Sequence, residues 1–312
     1  MVPIGRIKAR LRALGSRSGV EFVERVELSA WTTLRVGGLA DLVIRCLSRE
    51  GAARAVGILA EEGVRWMILG GGSNVVLPDA GVRVPVVTFG GALAGWEIDV
   101  DGVVAGAGAN LTPVIRAAIR SGLDGLVELA GIPGTLGGAV VMNAGSYGVE
   151  IHDRLDWVEI VRPNGEAVRL EARAIPHGYR WSALGEGGEL VTRVRLALEP
   201  GNRSAMQRRM REILTERGRK LPPGRTAGSV FRNPEGEAAG RLLEAAGCKG
   251  MIVGKARVSQ RHANVIVAER GARAAEILEL VRAMRERVEA HAGIVLEPEI
   301  RFFDEQGRRV SP

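Results

Sequence analysis

Two glycine-rich stretches hold the residues best suited to chemistry, and the chemistry they suit is the holding of an anion. The first, AGIPGTLGGAVVMNAGSYG, runs from Ala130 to Gly148 and contains Gly131, Gly134, Gly137, Gly138, Gly145 and Gly148. A helix of that composition costs roughly 1 kcal/mol per glycine relative to alanine, and a strand would have few side chains to pack. The composition therefore predicts a folded loop system. Without Cβ atoms, successive amides can turn toward a negatively charged group. A run of tight hairpins explains the same composition equally well. The second stretch is Gly70-Gly71-Gly72-Ser73-Asn74, delivered by the apolar run Val64 to Leu69. Bare amides beside a hydroxyl and a side-chain amide suit a pyrophosphate; the alternative is an ordinary turn at a strand end. No Gly-Lys-Ser/Thr follows, so this is not a Walker loop. Gly106-Ala107-Gly108-Ala109-Asn110 lacks the third glycine of the dinucleotide fingerprint.

The elements that must position these loops follow from periodicity. Residues 1–28 read as a helix and a polar connection. Trp31 to Gly38 reads as a strand ending in a glycine turn, and Asp41 to Cys46 as a second strand. Ser48 caps a helix over about 49–62 with Ala53, Val56 and Leu59 along one face. Val82 to Phe89 and Val103 to Ala107 read as strands. Thr112 caps a helix with Pro113 at its first position, and Gly122 ends it. Asp156 to Arg162 and Ala167 to Leu170 form a hairpin about Pro163-Asn164-Gly165. Leu190 to Leu198 is a strand, and Glu199-Pro200-Gly201-Asn202 a linker. A helix from Ser204 to Gly218 turns Met206, Met210 and Ile213 inward. Gly228 to Pro234 is strand-like, Ala238 to Ala246 a short helix, and Val265 to Val267 a strand. Ala272 to His291 is a helix with Ile277, Val281, Met284 and Val288 on one stripe. In the last strand, Val295 to Phe303, alternation puts Leu296, Ile300 and Phe302 on one side and Glu297, Glu299 and Arg301 on the other, with Pro298 marking an edge.

The 312 residues suffice for two or three domains. Hydrophobic residues at 46% and charged residues at 25% are ordinary globular values. No apolar run reaches membrane-spanning length, and the basic start lacks a signal peptide's apolar core, so the expectation is a cytoplasmic protein without membrane partners. Cys46 and Cys248 are too far apart in sequence to form a metal or redox pair, and no metal is expected. The net charge of +7 fits either nucleic acid or an anionic small molecule. With 2 Tyr and 5 Phe, stacking aromatics are scarce, which favours the small molecule.

Eight segments in register resemble the UDP-N-acetylenolpyruvoylglucosamine reductase family: TTLRVGG at 32–38, LGGGSN at 69–74, the long glycine stretch, GYRWS at 178–182, AGSVFRNP at 227–234, AAGCKG at 245–250, RHANVIV at 261–267 and LEPEIRF at 296–302. The resemblance implies an α+β protein. Its FAD-binding region would be of the vanillyl-alcohol-oxidase (PCMH) type in two subdomains, with a C-terminal α+β substrate-binding domain. Residues 1–88 would form the first subdomain, joined by the returning strand 295–312; residues 89–200 would form the second, and 201–294 the substrate domain. Little sequence separates Trp181 from Glu186-Gly187-Gly188, so the chain is similar to the second type, which lacks a long tyrosine-bearing loop.

The implied activity is reduction of UDP-N-acetylglucosamine enolpyruvate to UDP-N-acetylmuramate in peptidoglycan precursor synthesis. NADPH would be the co-substrate and FAD the cofactor, on a monomer. By resemblance Ser229 matches the proton donor, Arg180 the residue that stabilises the enolate through its forked guanidinium, and Glu299 the carboxyl group beside it. FAD would be held by Gly71, Gly72, Ser73 and Asn74 with Gly131, Pro133, Gly134, Thr135 and Gly137. No histidine sits in these loops, so the attachment would be non-covalent. Tyr179, Lys220 and Asn233 match substrate contacts, and His262 reads as a structural hydrogen bonder. Two departures stand out: Arg232 where lysine is common, and Gly254-Lys255-Ala256 where a glycine pair is common. The rivals are a flavin oxidase of the same fold, which would use oxygen and not need the Ser229, Arg180 and Glu299 trio, and a colourless nucleic-acid binder.

Overall fold

The computed structural model describes residues 4–15 and 17–312. The chain divides into two compact units. One comprises residues 1–24, 42–71 and 85–215, the other residues 25–41, 72–84 and 216–312. The chain therefore leaves the first unit in the middle of the Gly70-Gly71-Gly72 run. The expected second flavin subdomain, 89–200, lies wholly in the first unit. The expected first subdomain, 1–88, is shared between both, and 201–294 falls in the second unit from residue 216 onward.

In the first unit, helix α1 (Ile4–Ala13) buries Ile7 and Leu11. Residues 1–3 of the expected N-terminal helix lie outside the described residues. Helix α2 (Arg49–Glu61) begins where expected, with the Ser48 hydroxyl accepting the Gly51 amide at 3.1 Å. Its Ala52, Ala55, Val56 and Leu59 pack on Leu42, Ile44 and Val87. Those residues belong to a four-stranded sheet ordered Val20–Glu27, Leu39–Cys46, Val86–Phe89 and Met67–Ile68, in which Val43 pairs with Val86 and Met67 with Val86, both parallel. Parallel pairing demands crossovers, and α2 fills one. Strand Val20–Glu27 replaces the expected polar connection. Its sequence, VEFVERVE, is half charged and sits at the sheet edge, where one side needs no apolar cover.

A second sheet of five strands runs in the order Ala167–Glu171, Leu155–Val161, Leu190–Ala197, Gly102–Gly106 and Trp96–Ile98, antiparallel throughout. The hairpin turn at Pro163-Asn164-Gly165 is as read, with Gly165 at φ +88°. Helix α3 (Leu111–Arg120) lays Val114, Ile115 and Ala118 on this sheet. It starts earlier than predicted: Asn110 is the cap position, and Thr112 and Pro113 lie within the first turn. A six-residue helix α4 (Leu136–Val141) forms inside the glycine stretch, contrary to the all-loop reading. Thr135 caps it through the Gly138 amide, and Leu136 and Val140 anchor it in the core. Tertiary burial here outweighs glycine's poor propensity. Glu199–Pro200 is a short strand paired with Leu123–Asp124 and not an open linker. Helix α5 (Arg203–Lys220) buries Met206, Met210 and Ile213 as predicted but runs through Gly218.

In the second unit, Thr32 to Gly38 is a loop and not the expected strand. The Thr32 hydroxyl donates to Val36 O at 2.9 Å and accepts the Val36 amide at 3.2 Å, and Arg35 takes φ +59°. Helices α6 (Ala239–Ala245) and α7 (Ala274–Ala292) form as predicted. Ile277, Leu280, Val281, Met284 and Val288 of α7 pack with Phe231, Leu243 and Leu296. Gly293 ends α7 in the left-handed conformation, and the Asp79 carboxylate caps its start, accepting from Ala274 N at 2.8 Å and Ala275 N at 3.1 Å. Strand Arg301–Phe303 lies parallel to Val75–Val76 and antiparallel to Arg309–Val310. The alternation of the closing segment holds over a longer span than the regular strand: Leu296, Ile300 and Phe302 are buried, whereas Glu297 is exposed. Cys46 and Cys248 are each buried in a hydrophobic core; burial pushes the Cys46 thiol up to about 12. Among the described residues no helix is long and apolar enough to cross a membrane, and no group of three or more His, Cys, Asp or Glu is gathered as for a metal ion.

Candidate active site

The glycine loops of the first unit meet backbone to backbone. A Cβ built on Gly71 would stand 2.7 Å from the Gly134 Cα, and one on Gly70 would stand 2.7 Å from the Thr135 hydroxyl. Backbone contact this close excludes a side chain at Gly71, whereas one at Gly70 would displace the Thr135 hydroxyl. Gly131 and Gly134 have φ of +82° and +116°, a region that favours glycine, which lets the loop fold back through Ile132-Pro133. Gly134 O accepts the Leu111 amide at 3.1 Å, and a Cβ on Gly137 would strike Ala107 at 2.6 Å. Gly70, Gly71, Gly131, Pro133, Gly134, Thr135 and Gly137 thus form one continuous patch of backbone with Ala107 to Leu111. Close packing at Gly70, Gly71 and Gly137, half-buried turns and an exposed Gly138 leave a stretch of backbone poor in side chains, which fits a diphosphate.

Arg180 sits at the tip of a second small structure of this unit. Strands His177–Gly178 and Trp181–Ser182 form a hairpin joined by Tyr179-Arg180 alone. Arg180 has φ +58°, a conformation that costs a side-chain-bearing residue on the order of 1 kcal/mol. Its Nη2 donates to Gly145 O at 2.7 Å, its Nη1 lies 3.9 Å from Glu150 Oε1, and its guanidinium covers the Tyr179 ring at 4.8 Å. After Trp181 a turn of 3-10 helix, Ala183–Gly185, leads to the strand at Leu190, so no long loop intervenes. The His152 ring bonds Val140 O, 2.9 Å away, and stacks on His177 at 4.3 Å. Burial, more than the neighbouring His177, pushes its basicity below the usual histidine range.

In the second unit, Ser229 and Glu299 are held by one short ladder. Val230 O accepts the Glu299 amide at 2.8 Å, Phe231 bridges Pro298, and Arg232 N donates to Glu297 O at 2.9 Å. Antiparallel pairing thereby sets the Ser229 and Glu299 segments side by side, with Val230 opposite Glu299. The ladder reaches a third expected residue: Asn74 Nδ2 donates to Glu299 O at 3.1 Å, and Arg301 N donates to Asn74 O at 3.0 Å. Gly72 packs so closely under Trp31 O that a Cβ would come within 2.0 Å of it, which fixes the approach to Ser73. Phe231 is itself clamped by Asn264, whose Oδ1 accepts the Phe231 amide at 2.9 Å and whose Nδ2 donates to Phe231 O at 2.8 Å.

The remaining expected residues have local partners. Tyr179 is exposed under Arg180. Lys220 engages Glu216 one turn back on α5, and Asn233 Oδ1 accepts the Ala239 amide at 3.0 Å, at the start of α6. His262 accepts the Asn264 amide on Nδ1 at 3.2 Å, and burial lowers its basicity, in keeping with a structural part. Of the two departures, Arg232 lies 3.8 Å from exposed Glu297, and Lys255 donates its amide to Glu276 at 3.1 Å beside Gly254, at φ +55°. Asn143, Glu150 and Asn264 were missed by sequence reasoning. The two asparagines lie inside quoted motifs and Glu150 just past one, but only folding shows what they bond.

Comparison with known proteins matches residues 40–171 to an FAD binding domain and residues 220–303 to the C-terminal domain of UDP-N-acetylenolpyruvoylglucosamine reductase. A relative so named from Heliobacterium modesticaldum is 39% identical over 93% of both chains. One from Acidiphilium cryptum is 43% identical over 88% of this chain and 89% of its own. The crystal structure of UDP-N-acetylenolpyruvylglucosamine reductase from Thermus caldophilus superimposes with a TM-score of 0.79 at 38% identity, covering 91% of this chain and 99% of that one. The two matched domains are the α+β architecture expected, a flavin-binding region followed by a C-terminal domain. The chain belongs to the UDP-N-acetylenolpyruvoylglucosamine reductase family and is an FAD-dependent oxidoreductase.

Proposed function

We propose that this reductase uses NADPH to convert UDP-N-acetylglucosamine enolpyruvate to UDP-N-acetylmuramate, a step of peptidoglycan precursor synthesis, with Arg180, Ser229 and Glu299 acting on the second substrate. When bound at the glycine patch, FAD would supply the two-electron hydride chemistry that links NADPH to the enolpyruvyl methylene carbon. The chain's residues do the rest. Hydride arrival at that carbon drives negative charge onto its neighbour and into the carboxylate. Arg180 offers a permanently charged, planar fork to that enolate. Ser229 gives its hydroxyl proton to the carbon, which as a carbanion-like centre is a stronger base than water. Glu299 sits at the enolate beside it. The net reaction adds one hydride and one proton across the double bond.

The observation that carries this reading is the ladder that sets the Ser229 and Glu299 segments side by side and ties Asn74 to the Glu299 carbonyl. A flavin oxidase of alcohols would have no use for a proton donor to carbon. The diphosphate of FAD is assigned to the glycine patch with Ser73 and Asn74. Tyr179, Lys220 and Asn233 are proposed to line the UDP-sugar, Asn233 through its NH2 because its carbonyl is committed to α6.

The test is Ser229→Ala followed by rapid-mixing absorbance of the flavin. Reduction by NADPH should proceed within about twofold of normal, and reoxidation by the enolpyruvyl substrate should slow by about 10²- to 10⁴-fold, the range for loss of a general acid. Equal slowing of both halves would overturn the role given to Ser229.

A further inference from the structure

Five described residues other than glycine have positive φ, and Asn143, Tyr147 and Arg180 account for three of them within one cluster. Strain of this kind persists where the surroundings over-determine it. At Arg180 the surroundings can be named. Asn143 is fully buried, and its Nδ2 donates both to Glu150 Oε2 at 2.5 Å and to Gly178 O at 2.9 Å. One asparagine therefore fixes the carboxylate that faces the guanidinium and the strand that leads into the hairpin bearing it. Glu150 is fixed at its backbone as well, since its amide donates to Asp153 Oδ2 at 2.7 Å. Gly145 accepts from Arg180, and a Cβ there would fall 2.9 Å from Glu150 Cγ and 3.1 Å from Arg180 Nη1. Glycine is needed for the three groups to meet.

The geometry points to Glu150, held by Asn143, as a positioning residue that aims the Arg180 guanidinium during substrate reduction; this rests on the enolate-stabilising role proposed for Arg180. A guanidinium on a flexible stem samples many rotamers, and each must be frozen before its fork can serve a charge that exists only in the transition state. Gly145 O and Glu150 occupy one edge of the fork. With the Tyr179 ring under the guanidinium, these contacts narrow the poses that Arg180 can take. The Glu150 charge also opposes the enolate's, so its benefit lies in orientation.

The experiment is a double-mutant cycle on the holoenzyme, read by rapid mixing as two separate half-reactions. Glu150→Ala should slow reoxidation by enolpyruvyl-UDP-N-acetylglucosamine by up to about 100-fold, the effect of misplacing a reacting group by about 1 Å, with flavin reduction by NADPH unchanged. Glu150→Gln keeps the length and an acceptor oxygen for Asn143. It should stay within about fivefold of the parent, the modest change expected from losing a half-exposed ion pair. In an Arg180→Ala background, Glu150→Ala should add less than about twofold, because residues acting through one another are not additive. A purely structural role would slow both half-reactions and add in full to Arg180→Ala, which would overturn the proposal. So would normal reoxidation in Glu150→Ala when Arg180→Ala alone is slow. Normal reoxidation in Arg180→Ala would instead remove the role of Arg180 and the proposal with it. If Glu150→Ala does not fold, Glu150→Gln decides alone: reoxidation within about fivefold of the parent supports the orienting role, and a larger loss counts against it.

Discussion

Two buried asparagines, one in each unit, do different work beside the proposed catalytic residues. Asn264 clamps the backbone of Phe231 at both its amide and its carbonyl, so the Ser229 segment is placed by main-chain geometry. Asn143 instead reaches a side chain and a neighbouring strand, and the Arg180 guanidinium is gripped by the Gly145 carbonyl and the Glu150 carboxylate at the end of a two-residue turn. A proton donor on a short side chain has few rotamers to lose, and fixing its backbone fixes the atom. A guanidinium at the end of a long side chain gains little from that and must be gripped at its far end. The two devices should therefore fail differently.

The largest effect is expected from Asn264→Ala. It would strand both the amide and the carbonyl of buried Phe231 and cost about 2 kcal/mol or more in stability. Chemical denaturation should show the loss, with reoxidation by the enolpyruvyl substrate falling and flavin reduction spared. A stable protein with a normal second half-reaction would break the contrast between the two clamps. Gly71→Ala tests the first unit's glycine patch. The added methyl meets the Gly134 backbone, which cannot step aside, and overpacking of this kind costs about 1–3 kcal/mol. FAD titration should show affinity lower by about tenfold or more, the equivalent of about 1.4 kcal/mol; unchanged affinity would remove the patch from the cofactor site. The smallest effect is common to both regions. His152 and His262 both have their basicity lowered by burial from the ordinary histidine value of 6.5. Each takes up a proton more readily once unfolded. Their contribution to stability is complete above pH 6.5 and is lost as pH falls below it toward the lowered folded values. The thermal midpoint should decline as pH falls through that window, and less so in His152→Gln; a midpoint flat from about pH 7 to about pH 5 would contradict the sign.

Much of this arrangement was legible in the sequence. Helices α2 and α7 were placed by Ser48, Gly293 and a 3.6-residue apolar stripe, because such patterns are local. Strand Val20–Glu27 was not, since an edge strand can carry charge on both faces. Thr32 to Gly38 misled in the other direction: its β-branched residues suggest a strand, but a threonine hydroxyl closes the chain on itself. Helix α4 was hidden by its two glycines, of which Gly137 is required by the packing against Ala107. Resemblance found Arg180, Ser229 and Glu299, yet composition alone could not find Asn143, Glu150 or Asn264. Their value lies in bonds across 7 to 35 residues of sequence that only tertiary structure makes. The left-handed turn at Arg180 was equally invisible, because arginine is not a residue that announces positive φ.

The most direct measurement is the visible absorption spectrum of the purified protein under anaerobic conditions, taken before NADPH, after it, and after enolpyruvyl-UDP-N-acetylglucosamine. The account predicts a yellow protein that NADPH bleaches and the enolpyruvyl substrate restores without oxygen. A bleached protein whose colour returns only in air, or a protein that never takes up flavin, would contradict it.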